Sequence, residues 1–394
     1  MTDCATLRLK PGGDRRLLTG HPWIYSNEID MTPEAKALTP GIVVTVLRTD
    51  GKALGTAVFN PKPLISARML SRDPQAKVDA AFLRNRLQRA LDLRQRLIGV
   101  PHYRLAHAEA DGLPGAVIDR YGDTLVIQAA GAGMERLAEP LLEALDSVIA
   151  PKTILMRGDG PAREMEGLPP YSRMLKGEIA GPVPVIEYQA QFLADPREGQ
   201  KTGWFFDQRD NRALVARFAK DRRVLDLYSY MGGFAIQSAL AGATAVLAVD
   251  RSDLALRTAA AAAEQNGVAP RFATEKSEVF DFLEATANQP RYDVVVADPP
   301  AFVKSKKDFN QGARGYRKLA RLAAARVAPG GILFIASCSH NMPVDEFGAQ
   351  VARGLNDTGR QGRVLFQTFA APDHPVHPSL PESAYLKALT LQLD

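Results

Sequence analysis

The sequence of 394 residues is poor in cysteine, and its two cysteines, Cys4 and Cys338, stand too far apart to predict a disulfide framework or a zinc site. It also lacks a signal-peptide pattern at its amino terminus and any apolar stretch long enough to span a membrane. These absences argue against a disulfide-stabilised secreted scaffold and against an integral membrane protein. We therefore expect a cytoplasmic protein that has neither a metal site nor a membrane partner.

A third absence concerns nucleotide binding, because the chain has no G-x-G-x-x-G pattern of the kind that binds dinucleotides. A short apolar strand at 223–227 instead leads into a turn with the pair Gly232-Gly233, and a helix follows. The next strand ends in Asp250, where a carboxylate can accept hydrogen bonds from a ribose diol. One glycine pair offers little bare backbone to a pyrophosphate, so the turn favours a ligand without phosphates, such as S-adenosylmethionine. A purely structural turn is the alternative.

Charge is distributed unevenly along the chain. Residues 1–104 hold 17 Lys and Arg against 9 Asp and Glu, whereas the whole chain carries a net charge of only +5. A basic amino-terminal part ahead of a nearly neutral remainder suggests a polyanionic partner such as nucleic acid. An ordinary solvated surface would give the same counts, and on charge alone the two interpretations stand equal.

The length favours two or three domains, and the rhythm of the chain divides it into three. Residues 1–73 alternate short β-rich runs with glycine and proline turns, which is typical of a small β-barrel. Residues 74–190 open with a basic helix over 78–98 and continue with strands and a single helix near 134–148, as in an α+β domain. Residues 191–394 alternate strands with helices, which predicts a Rossmann-like α/β domain with a mostly parallel sheet.

Two predicted strands of the last domain end in reactive residues. The strand 292–297 runs into Asp298-Pro-Pro, and the strand 331–336 runs into Ser-Cys338-Ser. Because ligands of open α/β sheets bind at the carboxyl ends of the strands, we expect both residues at one crevice. Asp298 could meet an exocyclic amine of a base, and a Cys338 thiolate could attack the electron-poor C6 of a pyrimidine. A strand-ending turn and a cysteine that only packs the sheet are the alternatives.

With these residues assembled, the chain resembles the bacterial family of 23S rRNA cytosine-C5 methyltransferases that carry an amino-terminal PUA domain, a common RNA-binding module. The likeness extends over nearly the whole chain. Its motifs are Lys10-Pro-Gly-Gly and Gly20-His-Pro-Trp-Ile-Tyr25 in the PUA barrel, Glu109-Ala-Asp-Gly-Leu-Pro-Gly115 and Asp119-Arg-Tyr-Gly-Asp123 in the central domain, and the most specific segment, Gly199-Gln-Lys-Thr-Gly-Trp-Phe-Phe-Asp-Gln-Arg-Asp-Asn-Arg212.

The resemblance implies a class I methyltransferase domain with a seven-stranded sheet, S-adenosylmethionine as the cofactor, and RNA, specifically 23S rRNA, as the partner. It makes Cys338 and Asp298 the catalytic pair. The residues that it implies for substrate binding are Pro300, Phe302 and Lys304. The residues that it implies for cofactor binding are Lys201, Asp207, Gln208, Arg209, Asp226, Tyr228, Ser229, Gly232, Asp250, Ser252, Glu278, Asp298 and Pro299.

The chain departs from the family pattern at two points. Glu278 stands where an aspartate commonly meets the adenine amino group. The Asp298-Pro-Pro turn lacks the second cysteine with which another group of RNA cytosine-C5 enzymes releases its product, so release needs another base.

The sequence also leaves other functions open. An adenine-N6 or guanine-N2 methyltransferase would use the Asp298-Pro-Pro turn without a cysteine. A catalytically inactive RNA-binding factor would keep the same fold. Whether the protein forms a homodimer is open as well.

Overall fold

The structure is a computed structural model that describes residues 5–394, without the side chains of 161 and 162. Cys4 therefore lies outside the described residues. The chain forms two compact units. The first contains the chain up to Val183 together with Asp195–Trp204 and Pro372–Ser383, and the second contains Pro184–Ala194, Phe205–Ala371 and Ala384–Asp394. The predicted domain boundaries after residues 73 and 190 stay a prediction.

The first unit begins with a five-stranded sheet, whose strands are β1 (Ala5–Arg8), β2 (Trp23–Tyr25), β3 (Ile42–Leu47), β4 (Ala53–Phe59) and β5 (Ile65–Ser71). They pair in the order β1-β3-β4-β5-β2. Two short helices, α1 (Arg15–Leu18) and α2 (Pro33–Ala37), lie in the connections. The β-rich runs of the sequence correspond to β3, β4 and β5, whereas the short strands β1 and β2 were not predicted.

Backbone hydrogen bonds join the two edge strands of this sheet. Leu9 and Ile29, which lie just beyond β1 and β2, form an antiparallel bridge. The amide of Lys10 donates to the carbonyl of Glu28 at 2.9 Å. Leu9, Ile29 and Val44 are buried inside the closed sheet. The predicted small barrel is thereby confirmed.

The second sheet of this unit has five strands, β6 (His102–His107), β7 (Ala116–Tyr121), β8 (Thr124–Ala129), β9 (Thr153–Gly158) and β10 (Tyr171–Lys176), in the order β10-β9-β8-β7-β6. Its helices are α3 (Ala80–Ile98), α4 (Ala132–Arg136), α5 (Ala138–Val148) and α6 (Pro161–Met165). The single helix predicted near 134–148 is two helices in the structure. Pro140 has no amide hydrogen to donate backwards, so it fits the first turn of a new helix better than the middle of a longer one.

The basic helix α3 uses some of its arginines within the fold. Arg94 is fully buried and donates to both carboxylate oxygens of Asp111 at 2.7 Å. Arg86 is half-buried and donates to the carbonyl of Gly112 at 2.9 Å. The arginines of this helix that stay exposed are Arg84, Arg89 and Arg96.

The two later segments of the first unit are held in it by buried hydrogen bonds. The Thr202 hydroxyl donates to the Asp119 carboxylate, which also accepts two bonds from the Arg104 guanidinium. Asp373 is fully buried, and its carboxylate accepts a hydrogen bond from the backbone amide of Arg104 at 2.9 Å. Because charge-assisted bonds are stronger than neutral ones, Arg104 and its two carboxylates tie both segments to β6 and β7.

The second unit contains a seven-stranded sheet and, from Pro184 onward, a hairpin of β11 (Val183–Glu187) and β12 (Ala190–Ala194). The sheet strands are β13 (Arg223–Leu227), β14 (Ala245–Asp250), β15 (Phe272–Lys276), β16 (Tyr292–Ala297), β17 (Val327–Ser337), β18 (Gly362–Phe369) and β19 (Lys387–Leu393). The helices are α7 (Arg209–Ala216), α8 (Gly233–Leu240), α9 (Asp253–Gln265), α10 (Val279–Ala285), α11 (Phe309–Ala325) and α12 (Val344–Asn356).

The order of this sheet is β15-β14-β13-β16-β17-β19-β18. Every pair among the first five strands is parallel, and β19 runs antiparallel to both β17 and β18. The predicted Rossmann-like domain with a mostly parallel, seven-stranded sheet is confirmed. No helix within residues 5–394 is long and apolar enough to cross a membrane.

Gly41 packs so closely against Ala132 that the position has no room for a side chain. Its φ is +83°, and a Cβ would lie 2.2 Å from the carbonyl oxygen of Ala132. Gly51 has a similar φ of +86° but nothing within 4 Å, so it is a matched control. We expect Gly51→Ala to lower the free energy of unfolding by about 1 kcal/mol, from backbone strain alone. Gly41→Ala should lower it by roughly 2 kcal/mol more. Urea denaturation measures both, and equal midpoints would contradict the contact.

Candidate active site

The carboxyl ends of the central strands meet where the strand order reverses. β13 pairs in parallel with β14 on one side and with β16 on the other, and β16 pairs with β17. The connections that follow β13 and β16 lead in opposite directions, which opens a crevice at this edge of the sheet. The residues at or just beyond these strand ends include Asp226, Asp250, Asp298 and Cys338.

The turn after β13 has a strained backbone. Tyr228 and Tyr230 have φ values of 60° and 50°, which residues other than glycine rarely adopt. Gly232 follows with a φ of 76°, and a Cβ there would lie 3.0 Å from that of Ala259. Strain of this kind persists only where the surrounding structure enforces it, and it is concentrated at ligand sites. The glycine seen in the sequence therefore serves both the turn and the close approach of α9.

Asp226 is a buried carboxyl at the centre of the crevice. One of its oxygens accepts a hydrogen bond from the amide of Ala235 at 3.0 Å, while the other has no partner among the described residues. Burial raises the pKa of Asp226 well above its ordinary value, and the carboxylates of Asp298 and Asp250 raise it further. The hydroxyl of Ser229, in the adjacent turn, is also buried without a partner in residues 5–394. Because unsatisfied buried polar atoms are unfavourable, both atoms are suited to a polar ligand.

Asp250 and Ser252 organise the backbone at the end of β14. The carboxylate of Asp250 accepts hydrogen bonds from the amide of Tyr230 at 2.9 Å and from the amide of Ser252 at 2.8 Å. The Ser252 hydroxyl caps α9 by accepting from the amide of Ala255 at 3.2 Å. Each carboxylate oxygen of Asp250 retains a lone pair, so it can still accept a bond from a ligand hydroxyl.

Three of the predicted cofactor residues lie together at the start of α7. Asp207, Gln208 and Arg209 are all buried. The Tyr385 hydroxyl donates to the Asp207 carboxylate at 2.5 Å. The Arg209 guanidinium lies 5.5 Å from the centre of the Phe206 ring. Asp207 and Arg209 are thus held in place by contacts with side chains of the second unit.

Two other predicted cofactor residues stand apart from this group. Glu278 is exposed at the start of α10, and its carboxylate lies 3.8 Å from the Arg251 guanidinium. Lys201 belongs to the first unit, whereas the other residues predicted for the cofactor belong to the second. Both roles stay predictions.

Cys338 follows β17 and is partly exposed. Its Sγ lies 3.8 Å from the carbonyl oxygen of Pro299, the residue next to Asp298. The structure therefore brings the thiol and the Asp298-Pro-Pro turn together at one edge of the sheet. Parallel pairing of β16 with β17 is the cause, because it aligns their carboxyl ends.

A network of buried hydroxyls holds the backbone on either side of Cys338. The Tyr316 hydroxyl, on α11, lies 2.7 Å from the Ser339 hydroxyl and accepts a hydrogen bond from the Ser337 hydroxyl at 2.8 Å. The Ser339 hydroxyl also accepts from the amide of Val303 at 3.1 Å. Tyr316 and the two serines are fully buried. The serines beside Cys338 thus bind protein groups, and they link the end of β17 to the loop after β16.

The residues predicted to bind substrate differ in exposure. Phe302 packs between Tyr316 and Phe280, with ring centres 4.8 Å and 6.1 Å away. Pro300 and Lys304 are exposed. Phe302 therefore shapes the loop from within, while Pro300 and Lys304 form part of its surface.

Sequence reasoning missed Lys387, which is buried beside this network. It is the first residue of β19, and its Nζ donates to the carbonyl of Ser339 at 2.6 Å and to the carbonyl of Tyr385 at 2.9 Å. In the sequence, Lys387 is a lysine at the start of an alternating apolar strand. Such a lysine is usually solvated, so the pattern did not indicate a buried amine. Tyr316 was missed as well, because on the apolar face of a helix it looks like an ordinary core residue.

We expect Asp226→Asn to stabilise the ligand-free protein increasingly as the pH rises. The raised pKa of this carboxyl means that the folded state loses stability as the pH increases from the ordinary value of 3.8 toward the raised one. The amide keeps an acceptor for the amide of Ala235 and does not titrate. Thermal unfolding should show a gain that is larger at pH 8 than at pH 5 by roughly 2–4 °C.

The matched control for this prediction is Asp253→Asn, at an exposed carboxylate that pairs with Arg257. It should show no gain that grows with pH. Equal shifts for Asp226→Asn at the two pH values would contradict the electrostatic description of the crevice.

Comparison with known families gives two matches. Residues 7–72 match the model of a PUA-like domain, and residues 170–392 match the model of an S-adenosylmethionine-dependent methyltransferase. Among solved structures, the chain is similar to one described as a SAM-dependent methyltransferase from Streptococcus mutans, with a TM-score of 0.81 and 21% identity over 98% of this chain and 100% of that chain. At this identity the likeness shows the fold.

Curated relatives match over the whole length. Proteins named ribosomal RNA large subunit methyltransferase I are similar to the chain in Shewanella denitrificans, at 38% identity over 98% of this chain and 99% of the relative, and in Cronobacter sakazakii, at 37% over 97% of each. The likeness thus includes both the PUA-like and the methyltransferase regions. The chain belongs to the ribosomal RNA large subunit methyltransferase I family of S-adenosylmethionine-dependent methyltransferases.

Proposed function

We propose that this chain methylates C5 of a cytosine in 23S rRNA through a covalent adduct with Cys338. The relatives carry the name of large-subunit ribosomal RNA methyltransferases, and the proposal extends that substrate to this chain. The single observation that supports the choice of atom is the partly exposed Cys338 thiol, 3.8 Å from the Pro299 carbonyl at the carboxyl edge of the sheet. A thiolate is the protein nucleophile best suited to add to C6 of a pyrimidine.

The turn after β13 fits the cofactor of the family, S-adenosylmethionine. The unpartnered, buried Asp226 oxygen and Ser229 hydroxyl offer hydrogen bonds to a polar ligand, and the Asp250 carboxylate is suited to a ribose diol. When bound, the cofactor supplies an electrophilic methyl group on a sulfonium, which leaves as a thioether. The other residues that we assign to its binding are Lys201, Asp207, Gln208, Arg209, Tyr228, Gly232, Ser252, Glu278, Asp298 and Pro299.

In the proposed mechanism, the Cys338 thiolate donates an electron pair to C6 of the cytosine. The C5–C6 double-bond pair moves to C5, which becomes the nucleophile that accepts the methyl group. Asp298 meets the exocyclic amine and holds the edge of the base. A base then accepts the C5 proton. The C5–H pair restores the double bond, and the S–C6 pair returns to Cys338 as thiolate.

The RNA must present its target as an unstacked base, because a cytosine inside folded rRNA cannot reach a crevice at a sheet edge. We assign phosphate binding to the basic amino-terminal part of the first unit, residues 1–104, including the exposed arginines of α3 and the PUA-like domain. Such contacts fix the position of the RNA and carry little sequence information. The residues that we assign to the base and its neighbours are Pro300, Phe302 and Lys304.

Methylation of adenine N6 or guanine N2 is the nearest alternative, because an Asp-Pro-Pro turn alone suits an exocyclic amine. That chemistry gives the Cys338 thiol no role, so the thiol favours cytosine C5. A catalytically inactive RNA-binding factor would have no use for the unpartnered polar atoms of Asp226 and Ser229, which favour a ligand.

Cys338→Ala is expected to reduce methyl transfer to 23S rRNA roughly a thousandfold or more, because the adduct cannot form. Cofactor binding, measured by titration calorimetry, should not change. The matched control is Cys4→Ser, which removes the other cysteine and should keep activity within about twofold. Mass spectrometry of nucleosides should identify the product as 5-methylcytidine. Retained activity in Cys338→Ala, or a methylated purine as the product, would show that the covalent mechanism is wrong.

A further inference from the structure

Lys387 carries a buried amine directly behind the reactive loop. Its side chain and backbone are only 3% exposed. In the antiparallel pairing of β17 with β19, Lys387 lies opposite Ser337, the residue before Cys338. The pairing therefore places Lys387 next to the point at which the chain leaves β17 for Cys338.

The hydrogen bonds of Lys387 reach the other side of Cys338. Its Nζ donates to the carbonyl of Ser339 at 2.6 Å and to the carbonyl of Tyr385 at 2.9 Å. The lysine thus contacts the residue after Cys338 and pairs with the residue before it. An ammonium has three donors, and these two bonds use two of them.

The Lys387 amine forms no ion pair with a carboxylate of the described residues. Within residues 5–394, no Asp or Glu oxygen lies within 4.0 Å of the Lys387 Nζ. Burying an unpaired ammonium is unfavourable, and an apolar side chain of similar length would fill the space without that penalty. A negative group close to the Lys387 ammonium would offset the unfavourable free energy of burying it.

An ionised Cys338 supplies a negative charge that acts on this amine. Burial lowers the pKa of Lys387 to about 8, and the negative charge of a Cys338 thiolate raises it. The interaction is reciprocal, since a charge that stabilises the ammonium is itself stabilised by the ammonium. The hydroxyls of the Tyr316 network and the Pro299 carbonyl are neutral, so they supply no positive charge to a thiolate.

We propose that Lys387 is a positioning residue whose buried ammonium holds the Ser339 carbonyl and favours the thiolate form of Cys338, a role that rests on the proposed covalent mechanism. Ionisation of the thiol releases its proton to water, and the electron pair stays on Sγ. The sulfur is then ready to attack C6 before any RNA has bound.

Other groups near Cys338 also affect the equilibrium between its thiol and thiolate forms. The Pro299 carbonyl, at 3.8 Å, is an acceptor for the S–H group and favours the thiol. The Tyr316 hydroxyl is neutral at ordinary pH, because burial raises its pKa. Asp298, which precedes Pro299 on the loop after β16, is partly buried, and His340 next to the loop is exposed. Lys387 is the cation placed on the side of β19.

The test measures the reactivity of the thiol directly. In the full-length Cys4→Ser protein, without RNA or cofactor, the rate of alkylation of Cys338 by iodoacetamide is recorded against pH. The midpoint should lie below that of a free thiol, about 8.5. Lys387→Met removes the charge and the donors, and Lys387→Gln removes the charge but keeps an N–H donor. Both should raise the midpoint by about one pH unit. Lys387→Arg, which keeps a cation, should restore most of the shift.

Cofactor titration calorimetry and circular dichroism show whether each variant is folded. A midpoint at or above 8.5 in the Cys4→Ser protein overturns the proposal without any change at Lys387. Unchanged midpoints in folded Lys387→Met and Lys387→Gln overturn it too, and would leave only a structural role. Failure of the covalent mechanism gives a different result, namely methyl transfer that survives in Cys338→Ala whatever the alkylation profile.

Discussion

The parallel pairing of β13 with both β14 and β16 is the constraint on which the candidate site depends. A strand paired on both sides and covered by helices is mostly apolar, so polar chemistry is concentrated toward its carboxyl end. The pairing aligns these ends, and Asp226, Asp250, Asp298 and Cys338 meet there although they are far apart in sequence. The reversal of strand order then separates the connections and leaves the crevice open.

Crowding of carboxyl groups is the consequence of that alignment. Asp226 is buried near two other carboxylates, and its pKa is raised for both reasons. Arg212 is a nearby cation, but it is engaged by Glu187 in two hydrogen bonds of 2.8 Å and 2.7 Å. The buried carboxyl of Asp226 and the strained backbone of Tyr228 and Tyr230 both raise the free energy of the folded protein when no ligand is bound. A site that binds a ligand tightly commonly gives up stability of the free protein in this way.

Short windows of sequence predicted the buried strands and the glycine turn, because burial and positive φ values restrict which residues can stand there. The run at β16 is continuously apolar because four successive residues, Val294 to Ala297, are buried, and the sequence alone identifies it. The turn with Gly232 was recognisable because a positive φ requires glycine. By contrast, β18 is exposed along most of its length, so burial imposes no periodicity on it. The role of Lys387 depends on β19 pairing with β17, which no window of sequence contains. The position of Lys201 could not be predicted from its own stretch of sequence either. Lys201 belongs to the first unit, in which its neighbour Thr202 donates a hydrogen bond to Asp119.

The position of β19 has a consequence for the making of the protein. It is the last of the seven sheet strands to be synthesised, yet it lies between β17 and β18, inside the sheet. Until it emerges from the ribosome, β17 and β18 have no partner on their facing edges, and such unpaired edges promote misassociation. Lys387 is synthesised with this strand, so the loop that bears Cys338 forms without the Lys387 amine behind it until β19 has emerged. The turn after β13 is therefore synthesised well before the strand that places Lys387 behind the Cys338 loop.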